Sequence, residues 1–398
     1  MSNNKQLKYG VTMALVQVAL VPLSQPGLAQ GAETPTRYVI TNDNRNPNSA
    51  TFFEIGGTTM APTLTLLSVV GTGGVGNSNA PEGAKTVVTA KVGKEACAYV
   101  ANPASNNITA IDIYTQLYAG IFTASQEDTG LNGLASNGTY FYASYGTSKT
   151  IAAFSMTTGC GLAYLDDVSA VGESNAPVNG MAAHSNILVT TFGNGSIESF
   201  NIAAGVPVSN GDLQYSTGHQ SQLSPQGVDI SQNGDYAVFG DQGPAVDVEV
   251  SDISSGKLTP TKAYANLGTV GGSDNLYLSP NDGLLYVSSN HLPNAEVTAL
   301  YFNETTGEIA AGCSATPKNA SGAYNLALEL PSGAGGVVYA AEGSPAPAHS
   351  SQIGMFTITS SGKTCTLTEG TQSPSNSPVA DSDGFGLKSI AVYPPRPF

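Results

Sequence analysis

The amino-acid sequence predicts an all-β fold in which seven similar four-stranded sheets form a closed ring, a seven-bladed β-propeller. Two observations favour this fold: a strand-like phrase recurs seven times, and the composition suits short strands joined by tight turns. Only 11% of the 398 residues are charged, whereas Gly contributes 46 residues and Pro 23. Such a composition is typical of an all-β protein and disfavours long helices.

The recurring phrase is built from the β-branched and aromatic residues that strands prefer. Val39 and Tyr339 lie 300 residues apart, six steps along the repeat, so the mean period is 50 residues. Periods of about 40–50 residues are typical of propeller blades. We interpret each phrase as the second strand of one blade. The seven phrases are Val39–Asn42, Tyr99–Asn102, Phe141–Ser144, Leu188–Thr191, Ala237–Gly240, Tyr286–Ser289 and Tyr339–Glu342.

The fifth repeat shows the order of strands within a blade most clearly. Pro225–Ser231 predicts an inner strand, and the Asn-Gly pair at 233–234 predicts a hairpin turn before the second strand. Val246–Val250 alternates apolar and acidic residues, as a half-buried third strand does, and Leu258 begins an outer strand. The other inner strands are predicted at Val87–Lys91, Asn132–Ala135, Asn179–Ala183, Asn275–Ser279 and Asn325–Glu329.

The first repeat has no room for an inner strand ahead of Tyr38. The segment Gly386–Tyr393, near the end of the chain, has the pattern of an inner strand and no blade of its own. We expect it to supply the inner strand of the first blade, which closes the ring and removes exposed sheet edges.

The first 29 residues predict a secretion signal. Lys5 and Lys8 precede the apolar run Val11–Leu23, and small residues precede a possible cleavage site at Gln30. The predicted domains are therefore a signal peptide, residues 1–29, and one propeller, residues 30–398. We expect a secreted protein, extracellular or periplasmic, with no membrane span after cleavage. The alternative is an uncleaved amino-terminal anchor.

The formal net charge of −15 argues against nucleic-acid binding, because phosphate backbones repel an acidic surface. The four cysteines allow two disulfides in an exported protein. Cys313 and Cys365 occupy similar places in successive repeats, which leaves Cys97 to pair with Cys160; four free, buried thiols are the alternative. No cysteine spacing indicates a metal site, and no motif indicates a cofactor.

In a propeller, the starts of the inner strands and the ends of the second strands share one face, around the mouth of the central channel. Candidate catalytic residues on this face are the histidines and carboxylates His219, Asp241, His291 and Glu342. Candidate ligand-binding residues are polar groups at the same level: Arg45, Asn132, Asn179, Gln226, Asp274, Asn275, Asn325 and Asp383. The alternative is that these groups only pair with backbone and water.

The chain resembles the seven-bladed lactonase-type propellers, which include 6-phosphogluconolactonase-like, carboxymuconate cyclase-like and YVTN-repeat proteins. The resemblance is carried by Tyr99–Asp112, Pro225–Val238 and Leu278–Val287, and it extends over Arg37–Tyr393. It implies a histidine at the start of an inner strand and an arginine in the next loop. The matching positions here hold Gln226 and Ala245.

Two functions remain open at this stage. The first is a binding or structural module that recognises a small polar molecule, a carbohydrate or a cell-surface component. The second is a lactone hydrolase or cyclase acting on a sugar or muconate lactone. The replacement of the expected histidine and arginine favours the first.

Overall fold

The computed structural model describes most of the chain from Thr36 to Arg396. The described residues are 36–77, 84–169, 178–211, 214–215, 227–240, 248–265, 267, 273–279, 283–289, 296–318, 322–329, 336–343, 350–361, 364–380, 387 and 389–396. They form seven antiparallel sheets arranged in a ring, so the predicted seven-bladed propeller is confirmed.

Within each of the first four blades, the strands follow one another in chain order from the inside of the ring to the outside. Blade 1 contains β1 (Tyr38–Asn42), β2 (Ser49–Thr58) and β3 (Ala61–Gly71); blade 2 contains β4 (Val87–Val92), β5 (Glu95–Asn102), β6 (Asn107–Asp112) and β7 (Leu117–Phe122); blade 3 contains β8 (Leu131–Ser136), β9 (Tyr140–Tyr145), β10 (Thr150–Thr157) and β11 (Gly161–Ser169); blade 4 contains β12 (Val178–His184), β13 (Ile187–Phe192), β14 (Ser196–Ala203), β15 (Val206–Ser209) and β16 (Gln214–Tyr215).

The remaining strands follow the same order. Blade 5 contains β17 (Val228–Ile230), β18 (Tyr236–Gly240), β19 (Val248–Asp252) and β20 (Thr259–Ala265); blade 6 contains β21 (Asn275–Leu278), β22 (Leu284–Ser289), β23 (Glu296–Phe302) and β24 (Ile309–Ala315); blade 7 contains β25 (Gly322–Glu329), β26 (Val337–Gly343), β27 (Ser350–Ser361), β28 (Thr364–Glu369) and β29 (Ser375–Ala380); the last strand is β30 (Ser389–Tyr393). Within the described residues, the helical structure is a single 3-10 turn, Pro103–Ser105.

The last strand closes the ring as the sequence predicted. β30 pairs antiparallel with β1, from Tyr38 opposite Tyr393 to Asn42 opposite Ser389, and so becomes the inner strand of blade 1. Each inner strand also contacts the inner strand of the next blade, in the order β30, β4, β8, β12, β17, β21, β25 and back to β30. These seven strands surround the central channel.

The hydrophobic core lies between neighbouring blades. Tyr99 of blade 2 packs on Phe141 of blade 3 with ring centroids 4.8 Å apart, and both side chains are fully buried. Burying a large side chain of this kind contributes about 1.5–3 kcal/mol. Since each sheet is covered by its neighbours, one blade alone has little core of its own.

Two disulfides join neighbouring blades, with the pairing that the repeat positions favoured. Cys97–Cys160 connects blade 2 to blade 3, and Cys313–Cys365 connects blade 6 to blade 7. The sequence did not predict β29, which lies in a polar segment without a strand pattern. β29 forms because β28 pairs only with the end of β27, from Phe356 onward, and leaves the beginning of β27 open for pairing.

Candidate functional site

The central channel encloses a cavity of about 100 Å³ between the inner strands. Its wall is mostly small or apolar, with five alanines from four blades: Ala135, Ala182, Ala183, Ala327 and Ala391. Three charged side chains interrupt this wall, namely Lys85, Asp229 and Arg396. The channel therefore combines an apolar surface with one compact charged group.

Asp229 is the acidic member of this group and lies in β17, the inner strand of blade 5. Its side chain is 4% exposed, and its Oδ2 accepts a hydrogen bond from the Leu278 backbone N–H at 2.8 Å. Burial alone would raise the pKa of the Asp229 carboxyl, but Arg396, Lys85 and the Leu278 N–H together lower it below its usual value. Asp229 is therefore a buried carboxylate that remains ionised.

Arg396 reaches the channel from the segment that follows β30. Its Nη1 donates to Asp229 Oδ2 at 2.7 Å and its Nη2 donates to Asp229 Oδ1 at 3.1 Å, a bidentate ion pair. The same two nitrogens donate to the carbonyls of Leu278 at 2.8 Å and Ile230 at 3.1 Å. Since β30 belongs to blade 1, whereas Ile230 and Leu278 belong to blades 5 and 6, this segment crosses the channel.

Lys85 precedes β4 and approaches Asp229 with Nζ 3.8 Å from Oδ1, beyond hydrogen-bond distance. Its ammonium lies 5.2 Å from the ring centroid of Tyr277, and the Arg396 guanidinium lies at the same distance from that ring. Burial, and secondarily the nearby Arg396 charge, lower the pKa of Lys85. Unlike the guanidinium, the ammonium has donors left for a ligand, because it makes no hydrogen bond at 3.5 Å or less to the described residues.

The end of the channel at which the inner strands finish also holds titratable groups. His184, at the end of β12, is buried, and burial together with the Arg396 charge lowers its pKa. Burial raises the pKa of Glu304, which follows β23, whereas a hydrogen bond from the Gln232 backbone and the Arg396 charge oppose this rise. Arg396 therefore affects the electrostatics of this end as well as the centre of the channel.

Several predicted ligand-binding residues lie where inner strands begin and connect neighbouring blades. Asn132 Nδ2 donates to the Val178 carbonyl of blade 4 at 2.7 Å, and Asn325 Oδ1 accepts from the Ile390 N–H of blade 1 at 3.4 Å. Asn179, Asp274 and Asn275 are also buried at the beginnings of inner strands. These hydrogen bonds between blades give Asn132 and Asn325 a structural role.

The other predicted residues lie apart from this group or outside the described residues. Arg45 lies between β1 and β2, where its Nε donates to Ser49 Oγ at 2.8 Å. Glu342 is buried in β26, between blades 6 and 7; burial, and then the charge of Glu369, raise its pKa to about 9. The positions outside the described residues are His219, Gln226, Asp241, Ala245, His291 and Asp383. The catalytic and binding roles of all these residues stay predictions.

The sequence did not predict that Lys85, Asp229, Tyr277 and Arg396 come together in the channel. One signal was present: Asp229 is an acidic residue between Val228 and Ile230 in a predicted inner strand. A second was Arg396, one of only three arginines in the chain. Nothing local links the two, because they are 167 residues apart.

Among the described residues, one group of three side chains has the spacing of metal ligands: Glu95, Cys97 and Cys160. The two cysteines are bonded to each other. No helix in the described part of the chain has the length and apolar character needed to cross a membrane.

Comparison with known proteins gives similarity of structure but not of sequence. No protein-family profile matches the chain, and no curated protein matches it. A candidate 6-phosphogluconolactonase from Bacteroides fragilis superposes with a TM-score of 0.64 at 15% identity, covering 90% of this chain and 98% of that one. A second candidate 6-phosphogluconolactonase, from Bacteroides uniformis, gives 0.63 at 16% identity, with 90% and 99% covered.

A protein of unknown function from Desulfotomaculum acetoxidans gives a TM-score of 0.59 at 14% identity, covering 90% of this chain and 99% of that one. At these identities the comparisons concern the fold. The chain has the fold of the lactonase-type seven-bladed propellers, as the sequence resemblance predicted.

Proposed function

We propose that the protein is an exported binding propeller that takes a small polar molecule with an acidic group, such as a sugar acid, at the mouth of its channel. Two disulfides and the predicted signal peptide support export. The charged group in the channel supports an acidic ligand: among the described residues that line the channel, Lys85 and Arg396 are opposed by one carboxylate, Asp229, which leaves a local excess of one positive charge.

The size of the channel limits how the ligand binds. A cavity of about 100 Å³ is far below the roughly 300–1,000 Å³ of ordinary ligand pockets. It has room for one small group, such as a carboxylate, but not for a whole sugar. We therefore propose that the acidic group of the ligand binds at Lys85 and that the rest of the molecule lies at the mouth, near Asn132, Asn179 and Asn275 at the starts of inner strands.

The state of Asp229 favours binding over hydrolysis. A general base acting near neutral pH needs a pKa near the working pH. Asp229 is held by Arg396 and by the Leu278 N–H, and its pKa is below the ordinary aspartate value. It is therefore a poor base. The other charged residues that line the described channel, Lys85 and Arg396, are cations.

The alternative is a lactone hydrolase or cyclase with its catalytic groups at the mouth. The specific observation in its favour is the similarity of fold to two candidate 6-phosphogluconolactonases. Its predicted catalytic residues are His219, Asp241, His291 and Glu342, of which Glu342 is buried between blades 6 and 7. In such an enzyme, Lys85 would bind the acidic group of the lactone and would not act as the nucleophile.

Calorimetric titration with gluconate, galacturonate and uncharged glucose tests the proposal, together with a hydrolysis assay on sugar and muconate lactones. We expect the two acids to bind, Lys85→Met to weaken them at least tenfold, and glucose to bind weakly in both proteins. Lys94→Gln, at an exposed lysine, is the matched control. Lactone turnover that His291→Ala abolishes would instead establish the enzyme, and equal binding to Lys85→Met would exclude the channel site.

A further inference from the structure

A second group of buried oxygens lies outside the channel, on the side of blade 7 that faces blade 6. Glu342 in β26 is 0% exposed, and neither of its carboxylate oxygens has a hydrogen-bond partner among the described residues. An ionised carboxylate in such a place is unfavourable unless a proton or a cation neutralises it. The contacts around Glu342 therefore indicate what can occupy this position.

Gln352 lies directly opposite Glu342 in the antiparallel pair of β26 and β27. Opposite residues of such a pair place their side chains on the same face, with Cβ atoms about 5 Å apart. Gln352 Nε2 donates to Asn376 Oδ1 at 2.9 Å, whereas Gln352 Oε1 is buried without a partner. The amide therefore turns its donor toward Asn376 and keeps an unused acceptor on the face that it shares with Glu342.

The space for the Glu342 carboxylate is provided by Gly354, the next residue of β27 on the same face. A Cβ atom placed on Gly354 would overlap Glu342 Oε1, so the carboxylate occupies the space that a side chain would fill. Glycine at this position lets a polar group enter an interface whose neighbours, Ala340 and Phe356, belong to the apolar core between blades 6 and 7.

Glu369 brings a second negative charge to this face. It lies opposite Phe356 in the pair of β27 and β28, and it is 8% exposed. Each of its oxygens accepts one hydrogen bond, from the Lys318 backbone N–H at 2.6 Å and from Ser373 Oγ at 2.8 Å. Each oxygen retains a lone pair, so Glu369 adds negative charge and acceptor capacity to the group.

We propose that Glu342, Gln352 and Glu369 form a binding site for a hard cation, Ca²⁺, between blades 6 and 7. The two carboxylates and the amide oxygen are ligands that Ca²⁺ prefers, and flexible coordination by about six to eight oxygens lets water complete the shell. Zinc is disfavoured, because zinc prefers nitrogen and sulfur ligands. The sequence predicted no metal site, since these residues lie on three strands and have no motif spacing.

The site has a structural role. It connects the second, third and fourth strands of blade 7 at its interface with blade 6, where the Cys313–Cys365 disulfide also joins the two blades. It does not involve Lys85, Asp229 or Arg396, so Ca²⁺ binding and ligand binding in the channel can succeed or fail separately.

Thermal unfolding of the full-length protein, first stripped with EDTA and then given 5 mM CaCl₂, tests the proposal. For a Kd of about 0.1 mM, we expect Ca²⁺ to raise the Tm by roughly 3–6 °C. Glu342→Gln keeps the shape of the side chain but removes its charge, and should abolish the shift. Glu54→Gln, at an exposed acidic residue, should retain it.

Calorimetric titration with CaCl₂ gives the second readout, which does not depend on the change in Tm. Gln352→Met, at a partly exposed position, should weaken Ca²⁺ binding about tenfold and serves if Glu342→Gln does not fold. An unchanged Ca²⁺ shift in Glu342→Gln would place the ion elsewhere. No calorimetric binding to the wild type would mean that a proton alone neutralises Glu342. Either result overturns the proposal.

Discussion

Asp229 is the residue on which the charge of the channel depends. It is bound by Arg396 through two hydrogen bonds, and breaking a buried pair by removing one partner leaves an uncompensated charge. We expect Arg396→Met to lower the free energy of unfolding by about 3–5 kcal/mol, measured in urea. Combining it with Asp229→Leu should restore much of the loss, because both charges are then absent. A single variant within 0.5 kcal/mol of wild type would contradict the structural role of this pair.

The same pair gives the protein a specific acid sensitivity. The pKa of Asp229 is lowered in the folded state, so its ionised form stabilises the fold above the unfolded value of about 3.9. This stabilisation is lost as the pH falls below that value toward the folded pKa. Tm values between pH 6 and pH 2.5 measure it. The decline should be shallower in the double variant Arg396→Met/Asp229→Leu, and parallel curves would show that other carboxyls dominate acid unfolding.

The positions of individual side chains were predictable only where the repeat determines them. The amide groups Asn132 and Asn325 were expected at the mouth because their types and positions recur with the repeat. Arg396 was not expected in the channel, because its contact with Asp229 depends on the path of the chain after Tyr393 and not on any repeated pattern. Glu342 was selected as a carboxylate at the end of a second strand, but its burial between blades follows from Gly354 on another strand.

Among the strands, β30 is the one that joins the two ends of the chain and closes the ring. It is the inner strand of blade 1 and also contacts the inner strands β25 and β4 on either side. Deleting residues 386–398 removes this strand together with Arg396, and should lower the Tm by more than 10 °C or prevent folding. Deleting only residues 396–398 keeps β30 and measures the separate effect of losing Arg396, which should be smaller. An unchanged Tm after the longer deletion would refute closure of the ring by β30.

The disulfides act between elements of neighbouring blades. Cys97–Cys160 closes a loop with a sequence separation of 63 residues. In the chain-entropy model, cross-linking a loop of this length lowers the entropy of the unfolded chain and raises the free energy of unfolding by about 4 kcal/mol. We expect Cys97→Ser/Cys160→Ser to lose stability of that order in urea. Insensitivity of the wild type to dithiothreitol, with equal stability of the variant, would show that the bond contributes nothing.

Strand positions were the most predictable feature of this chain. Each of the seven recurring phrases lies in the second strand of a blade, because β-branched and aromatic residues with flanking turns determine strands locally. β29 was missed because its polar residues carry no strand pattern of their own. It pairs only because the beginning of β27 is left open by β28, which is a property of the assembled blade.

The whole chain carries a formal net charge of −15, whereas the channel group of Lys85, Asp229 and Arg396 carries one excess positive charge. An acidic surface repels anions at long range, whereas Lys85 attracts them at short range, so we expect binding of a sugar acid to strengthen as salt screens the surface. Titrations with gluconate at 20 mM and 200 mM NaCl measure this. Weaker binding at the higher salt concentration would indicate that the cationic group dominates at all distances.

A crystal structure of the protein with gluconate would show whether Lys85 binds an acidic ligand at the channel mouth. We expect the gluconate carboxylate within about 3 Å of Lys85 Nζ, with its carbon chain extending toward the starts of the inner strands and the Asp229–Arg396 pair intact. Gluconate bound elsewhere, with the Lys85 ammonium still 3.8 Å from Asp229 and without contact to the ligand, would contradict it.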